Sequence, residues 1–144
     1  MQFLFLMSIA AARRTVRLSM AYFVPDDAAV ETIVAARRRG VRVQLIVPGP
    51  HIDRPLLRHA SRFEWGPLLA AGVEIHEYQP TMYHCKVLIV DDLWTSVGST
   101  NFDSRSFSVN DEANLNVLDA DFAREQAAVF DADLDAPFRK ADHL

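Results

Sequence analysis

The chain has 144 residues, half of them hydrophobic and 24% charged, with a formal net charge of -4 at neutral pH. That is enough for one domain with a substantial core that needs no disulfide or metal staple. The acidic balance offers nothing overall to attract nucleic acid, so an anionic ligand must be met by local basic groups. The single cysteine, Cys85, excludes an internal disulfide and suits a reducing compartment.

The opening stretch from Met1 to Ala12 is apolar. It is shorter than the roughly 20 residues that cross a bilayer. Its arginines, Arg13 and Arg14, follow the apolar run, whereas a signal peptide places its basic residues ahead. The pattern predicts a packed helix, with neither signal peptide nor transmembrane segment. Thr15 to Ala21, with Val16, Leu18 and Met20 alternating, predicts a strand. Pro25-Asp26-Asp27 starts a helix, with a carboxylate to cap free N–H groups. That helix stops at Arg37-Arg38-Arg39-Gly40, where cations and a following glycine suit a helix C-terminus better than a phosphate site.

Val41, Val43, Leu45 and Val47 predict a second strand, halted by Pro48-Gly49-Pro50. One helix is expected from Arg54 to Ala71 and a third strand from Val73 to Tyr78. Tyr83 to Val90 is apolar on both faces, as in a central strand. Asp91-Asp92 turns the chain into Leu93 to Val97. A strand from Glu112 to Leu118 and a helix capped by Asp121 and reaching about Asp133 complete the pattern. The fold expected is one α/β domain over residues 1–144, a mixed sheet flanked by helices, with no internal repeat or linker.

The chemistry concentrates in Tyr83-His84-Cys85-Lys86-Val87-Leu88-Ile89-Val90-Asp91, followed by Gly98-Ser99-Thr100-Asn101. Residues two apart on a strand share a face, so His84 and Lys86 emerge together. An imidazole can attack phosphorus or protonate a leaving oxygen, while an ammonium beside it holds the non-bridging oxygens and offsets their growing charge. That division of labour requires no metal and no cofactor. Lys86 sits among residues too apolar for an edge strand, and a buried ammonium needs an anion. Asp91 has the opposite parity and is expected to fix the turn. Gly98 permits close backbone approach or a positive φ, and Ser99 and Asn101 offer hydrogen bonds to phosphate oxygens. Glu112 could accept the N–H of His84, set its tautomer and stabilise the imidazolium; Asp111 is the adjacent alternative. Arg105 could bind lipid phosphate or pair with Asp103. Cys85 is expected to be a small buried residue facing away from His84, and Tyr22, Phe23 and Tyr83 to pack in the core or wall the site. His51, His59 and His76 sit in turn or amphipathic contexts, and His143 in the tail.

His-x-Lys with four residues before Asp, then Gly-Ser-x-Asn, resembles the HKD motif of the phospholipase D superfamily. Tyr22-Phe23-Val24-Pro25-Asp26, Arg39-Gly40-Val41, Ala71-Gly72-Val73, Asn101 to Ser106 and Asn110-Asp111-Glu112 are similar to the C-terminal half of a bacterial cardiolipin synthase, over about residues 7–134. The resemblance implies a phospholipase D-like domain with His84, Lys86, Asp91 and Glu112 in its catalytic apparatus and Ser99 and Asn101 lining the pocket. It implies a phosphatidyltransferase or phosphodiesterase acting on phospholipid, such as phosphatidylglycerol, through a phosphohistidine. Such an enzyme needs two facing motifs, so a second would come from a homodimer mate or a partner chain. The chain would then be cytoplasmic or peripheral at the bacterial inner membrane. The alternatives are a single-motif homodimeric phosphodiesterase or nuclease, which the acidic charge disfavours, and a catalytically incomplete half-enzyme.

Overall fold

The computed structural model describes residues 1–103 and 111–141. Helix α1 (Gln2–Ala11) leads into β1 (Thr15–Met20), the short β2 (Phe23–Val24) and α2 (Asp27–Arg38). Then come β3 (Arg42–Pro48), α3 (Pro55–Phe63), α4 (Trp65–Ala70), β4 (Glu74–Tyr78), β5 (Lys86–Val90) and β6 (Trp94–Gly98). After the short β7 (Phe102–Asp103), β8 (Asn114–Leu118), α5 (Ala120–Asp135) and β9 (Phe138–Lys140) complete the described elements.

Seven strands form one sheet in the order β8-β6-β5-β1-β3-β4-β9, and β2 pairs with β7 beside it. β1, β3 and β4 are parallel neighbours, while β5 runs antiparallel beside β1, with Met20 opposite Lys86. β6 and β8 continue antiparallel outward from β5, and β9 runs antiparallel beside β4. The mixed α/β sheet flanked by helices is therefore the architecture the sequence predicts.

Side-chain alternation splits the core between the two faces of the sheet. Phe5 and Ile9 of α1, Ala29 and Ile33 of α2, and Trp65 and Leu68 of α4 pack with Val16, Leu18, Leu45 and Leu88 on one face. Ala123, Ala127 and Phe130 of α5 pack with Ile46 and Ile89 on the other. Each fully buried Leu, Ile or Phe contributes roughly 1.5–3 kcal/mol relative to exposure. Only one face of α1 is used, since Phe3 and Met7 remain exposed. Among the described residues, no helix is long and apolar enough to cross a membrane.

The caps explain most boundaries. Asp26 accepts the Ala29 N–H at 2.9 Å and starts α2. Gly40 leaves the helix at φ +91°, a conformation glycine adopts without steric cost. The guanidinium of Arg37 bonds the Val41 carbonyl and that of Arg39 the Ala10 carbonyl, so these two arginines act as helix-end groups.

Four boundaries differ from expectation. The helix expected from Arg54 to Ala71 breaks at Glu64 because Pro67 has no N–H for the Phe63 carbonyl and its ring crowds that carbonyl. Strand β5 begins at Lys86, leaving His84 in the preceding loop, and β8 begins at Asn114, leaving Glu112 ahead of it. The last helix is capped by Asp119, which accepts the Phe122 N–H at 2.8 Å, and Asp121 falls in its first turn. Ser104, Arg105, Ser106, Asn110 and His143 lie outside the described residues.

Asp91 fastens the far end of β5. Its carboxylate accepts the N–H groups of Arg13, Arg14 and Thr15 at 2.7–2.9 Å, while Asp91 and Asp92 both sit at positive φ. With Leu93 N–H bonded to the Val90 carbonyl, this is the pattern of a type I′ hairpin turn. Burial alone would raise the Asp91 pKa; the three backbone N–H bonds and the Arg14 charge bring it below the usual carboxylate value. A depressed folded pKa means that its stabilisation is present above the unfolded value of about 3.9 and lost as pH falls through the folded one. Asp91→Ala is expected to cost about 2 kcal/mol in urea unfolding near neutral pH and to flatten the decline in stability below about pH 4. An unchanged midpoint would show that the clamp is dispensable.

Candidate active site

The antiparallel insertion of β5 brings five connections to one end of the sheet. Parallel β1 and β3 deliver their carboxyl ends there, carrying Tyr22 and the loop from Gly49 to Arg54. β5 delivers its amino end, with His84 and Lys86. β6 delivers Gly98 to Asn101, and β8 its amino end, with Glu112. The Ala21 N–H bonds the Cys85 carbonyl at 2.9 Å, which seats the His84 loop against the end of β1.

His84 and Lys86 meet although His84 lies outside the strand. The Lys86 Nζ is 3.0 Å from His84 Nδ1 and 3.2 Å from the His84 carbonyl. The imidazole is exposed and stands edge-on to the Tyr22 ring, with centroids 5.9 Å apart and an interplanar angle of 88°. Lys86 is half-buried, and its pKa is lowered by burial, against the raising influence of Cys85, Glu112 and Asp53. Among the described residues, no hydrogen bond joins Glu112 to His84; the Glu112 carboxylate acts on Lys86 through its charge.

The Gly98–Asn101 turn is laced to the chain beside Glu112. A Cβ on Gly98 would come within 2.2 Å of the Ala113 carbonyl oxygen, so this glycine serves close backbone approach. Ser99 Oγ accepts the Ala113 N–H at 3.0 Å, and Asn114 Oδ1 accepts the Thr100 N–H at 3.2 Å. The exposed Ser99 hydroxyl also donates to the Ala113 carbonyl at 3.4 Å, a long bond that a phosphate oxygen can replace. Asn101 is buried, and its Oδ1 accepts the Tyr22 N–H at 3.1 Å. Asp91 lies at the opposite end of β5 from Lys86, with its carboxylate engaged by backbone.

Two residues here escaped the sequence reading. The Tyr22 hydroxyl lies 2.6 Å from each carboxylate oxygen of Asp53, and the Arg54 guanidinium stands over the Tyr22 ring, 5.9 Å from its centroid. Burial, then the bond to Asp53 and its charge, push the Tyr22 pKa up to about 12. The rule that ligands bind beyond the carboxyl ends of strands in open α/β sheets points to the loop after β3, and it was the one available signal. Cys85 corrects an expectation: it is exposed, not buried, because its loop lies beyond the strand. Its thiol pKa is raised by partial desolvation. Among the described residues, no group of three or more His, Cys, Asp or Glu side chains is placed to hold a metal ion.

Residues 5–134 match the family model described as the cardiolipin synthase, PLD-like domain. The chain belongs to this family. It is 36% identical over 131 residues to the minor cardiolipin synthase ClsB of Bacillus subtilis, covering 91% of this chain and 33% of that protein. It is 39% identical over 118 residues to cardiolipin synthase B of Escherichia coli K12, covering 82% of this chain and 28% of that protein. The PLD-like domain thus spans about a third or less of these relatives. In fold it is similar to Nuc, a phospholipase D family member from Salmonella typhimurium, with a TM-score of 0.83 and 22% identity, covering 97% of this chain and 90% of that one.

The electrostatics of this PLD-like domain can be read directly because it contains two lysines, Lys86 and Lys140. In a ¹³C-methyl-lysine NMR titration, Lys86 should titrate below the ordinary value of about 10.4. Asp53→Asn and Glu112→Gln should each lower it further by removing a negative charge. Insensitivity to both substitutions would place neither carboxylate in its field.

Proposed function

We propose that this PLD-like domain supplies one half of a phosphatidyltransferase or phosphodiesterase site for phospholipid, working through a phosphohistidine in the manner of cardiolipin synthase. The observation that carries this reading is the His84–Lys86 pair, 3.0 Å apart at the sheet end, with Ser99, Asn101 and Glu112 delivered to the same place. The imidazole Nε2 attacks phosphorus, a P–N bond forms and the P–O bond to the leaving alcohol breaks. The imidazole of a second, facing motif gives that alcohol its proton. An acceptor hydroxyl or water then attacks the phosphorus, the P–N bond breaks, and the second imidazole takes the proton back.

An ammonium only donates, so a neutral His84 ring in this 3.0 Å contact would accept at Nδ1 and carry its proton on Nε2. Attack through Nε2 needs the opposite tautomer. Substrate resolves this if Lys86 swings from Nδ1 onto the phosphate oxygens and a carboxylate accepts the Nδ1–H. Glu112 has the chemistry for that and already acts on Lys86 by charge. Ser99 and Asn101 hold the strand ends and add neutral donors at the phosphate, a preorganised arrangement that favours the developing charge. Asp91 supports the site from the far end of β5.

The second motif comes from another PLD-like domain, in a second copy of the chain or elsewhere. The second reading is a single-motif homodimeric phosphodiesterase, with which the fold similarity to Nuc is compatible. Any contact with the membrane is peripheral to the described domain.

The test is turnover of phosphatidylglycerol by purified protein, with and without glycerol, across a range of protein concentrations. His84→Ala should abolish it, and Lys86→Met should reduce it by roughly two to four orders of magnitude. Specific activity rising with concentration identifies a self-assembled pair. Activity that survives His84→Ala would refute the assignment. Turnover only on adding a second-motif chain would select the half-enzyme form.

A further inference from the structure

The segment that carries His84 is lightly held by its own backbone. It lies between β4, which ends at Tyr78, and β5, which begins at Lys86. Among the described residues, Pro80 to His84 make no backbone–backbone hydrogen bond; the flanking ones are those of Gln79 to Pro137 and of Ala21 to Cys85. A shift of about 1 Å in a reacting group is enough to slow chemistry severely, so a loop of this kind needs a further anchor. The residue before His84 supplies one from the other face of the sheet. Tyr83 is buried and packs with Ile46, Ile89 and Phe130 in the core beneath α5. Its ring meets that of Tyr78, with centroids 4.9 Å apart, and its hydroxyl donates to Asp133 Oδ2 at 3.0 Å.

Asp133 has no local reason to be where it is. It lies in the last turn of α5, which holds no basic residue, and a carboxylate at a helix C-terminus opposes the helix dipole. Its contribution is the bond to Tyr83. Burial foremost, together with the charge of Asp133, raises the Tyr83 pKa, so the hydroxyl stays a donor. A hydrogen bond to an ionised acceptor is roughly twice as strong as a neutral one. Consecutive Cα atoms are held about 3.8 Å apart across a planar peptide, so an anchored Tyr83 limits how far His84 can travel.

We propose that Tyr83, anchored by Asp133, is a positioning residue for His84 and holds its imidazole against Lys86 and Tyr22 from the opposite face of the sheet. The proposal rests on the reading of His84 as the reacting group. Tyr83 and Asp133 act through the backbone and not on the substrate. The hydroxyl bond and the core packing fix one side of the His84 peptide, the Ala21–Cys85 bond fixes the other, and Lys86 then meets Nδ1 at 3.0 Å. The last turn of α5 thereby becomes part of the support of the site.

The test reads the imidazole itself. Long-range ¹H–¹⁵N spectra of the whole chain, taken where the ring is neutral and assigned with His84→Ala, report which ring nitrogen carries the proton. Tyr83→Phe and Asp133→Ala should each move the His84 signals from the Nε2–H form toward a mixture of tautomers, as the contact with Lys86 loosens. Asp133→Asn keeps an acceptor for the Tyr83 hydroxyl and should retain the wild-type spectrum. Phe130→Leu, in the same core, should lower the urea midpoint without moving His84. On phosphatidylglycerol, Tyr83→Phe should lower kcat roughly tenfold at unchanged KM. His84 signals that ignore Tyr83→Phe and Asp133→Ala, or that Phe130→Leu moves as far, would overturn the proposal. A change confined to KM would overturn it as well, by assigning Tyr83 to substrate binding. Because the spectrum needs no turnover, an inactive chain would count against the catalytic reading and leave the spectral test of Tyr83 intact.

Discussion

The structure depends on the direction of one strand. β5 lies between β1 and β6, antiparallel to both, in a sheet whose other half is parallel. Parallel strands gather their carboxyl ends and the loops that follow at one edge, where open α/β sheets bind ligands. A fourth parallel strand would carry His84 and Lys86 to the opposite edge. Reversed, β5 presents its amino end beside Tyr22, and the hairpin that follows returns Gly98 to Asn101 to the same place. Asp91 matters through this geometry. By binding three consecutive N–H groups at the start of β1, it ties the tail of β5 to the strand whose other end faces the site.

The site is built from loop residues on a rigid base. His84, Glu112, Asp53 and Arg54 all lie just outside regular elements, and backbone contacts hold the segments that carry them. Ala21 bonds Cys85, Ser99 bonds Ala113, and Asn101 bonds Tyr22. One half-buried ammonium lies in the field of two carboxylates, Glu112 and Asp53. A phosphate bound as proposed would give Lys86 a nearer anion than either. In the proposed mechanism, this is what would let Lys86 move from His84 onto the phosphate.

The family relationship and the size of the chain bear on how that chemistry would be completed. Residues 5–134 match the PLD-like domain, the matched stretch is about a third or less of the cardiolipin synthases it resembles, and these 144 residues carry one His-x-Lys motif. A single imidazole cannot be both the phosphorylated nucleophile and the proton donor to the leaving alcohol in one step. Pairing of two domains is therefore a chemical requirement of the proposed mechanism, whichever chain provides the second.

The elements with a strong local signal were legible in the sequence. Alternation marked β1 and β3, Asp26 and Gly40 marked the two ends of α2, and the His84 to Asn101 motif marked the candidate site. Local rules failed where a single backbone group decides: Pro67 divides the helix at Glu64, and Asp119 caps α5 in place of Asp121. They also failed at the strand ends, where β5 and β8 start later than their apolar pattern, leaving His84, Cys85 and Glu112 in loops. What the sequence by itself determined was the family, the central strand and the neighbouring of His84 and Lys86, because these depend on spacing within a short segment. Only the tertiary structure could join Asp53 and Arg54 to Tyr22 or show Lys86 in the field of two carboxylates. Those contacts join residues some thirty positions apart, and sheet order, which no local pattern encodes, brings them together.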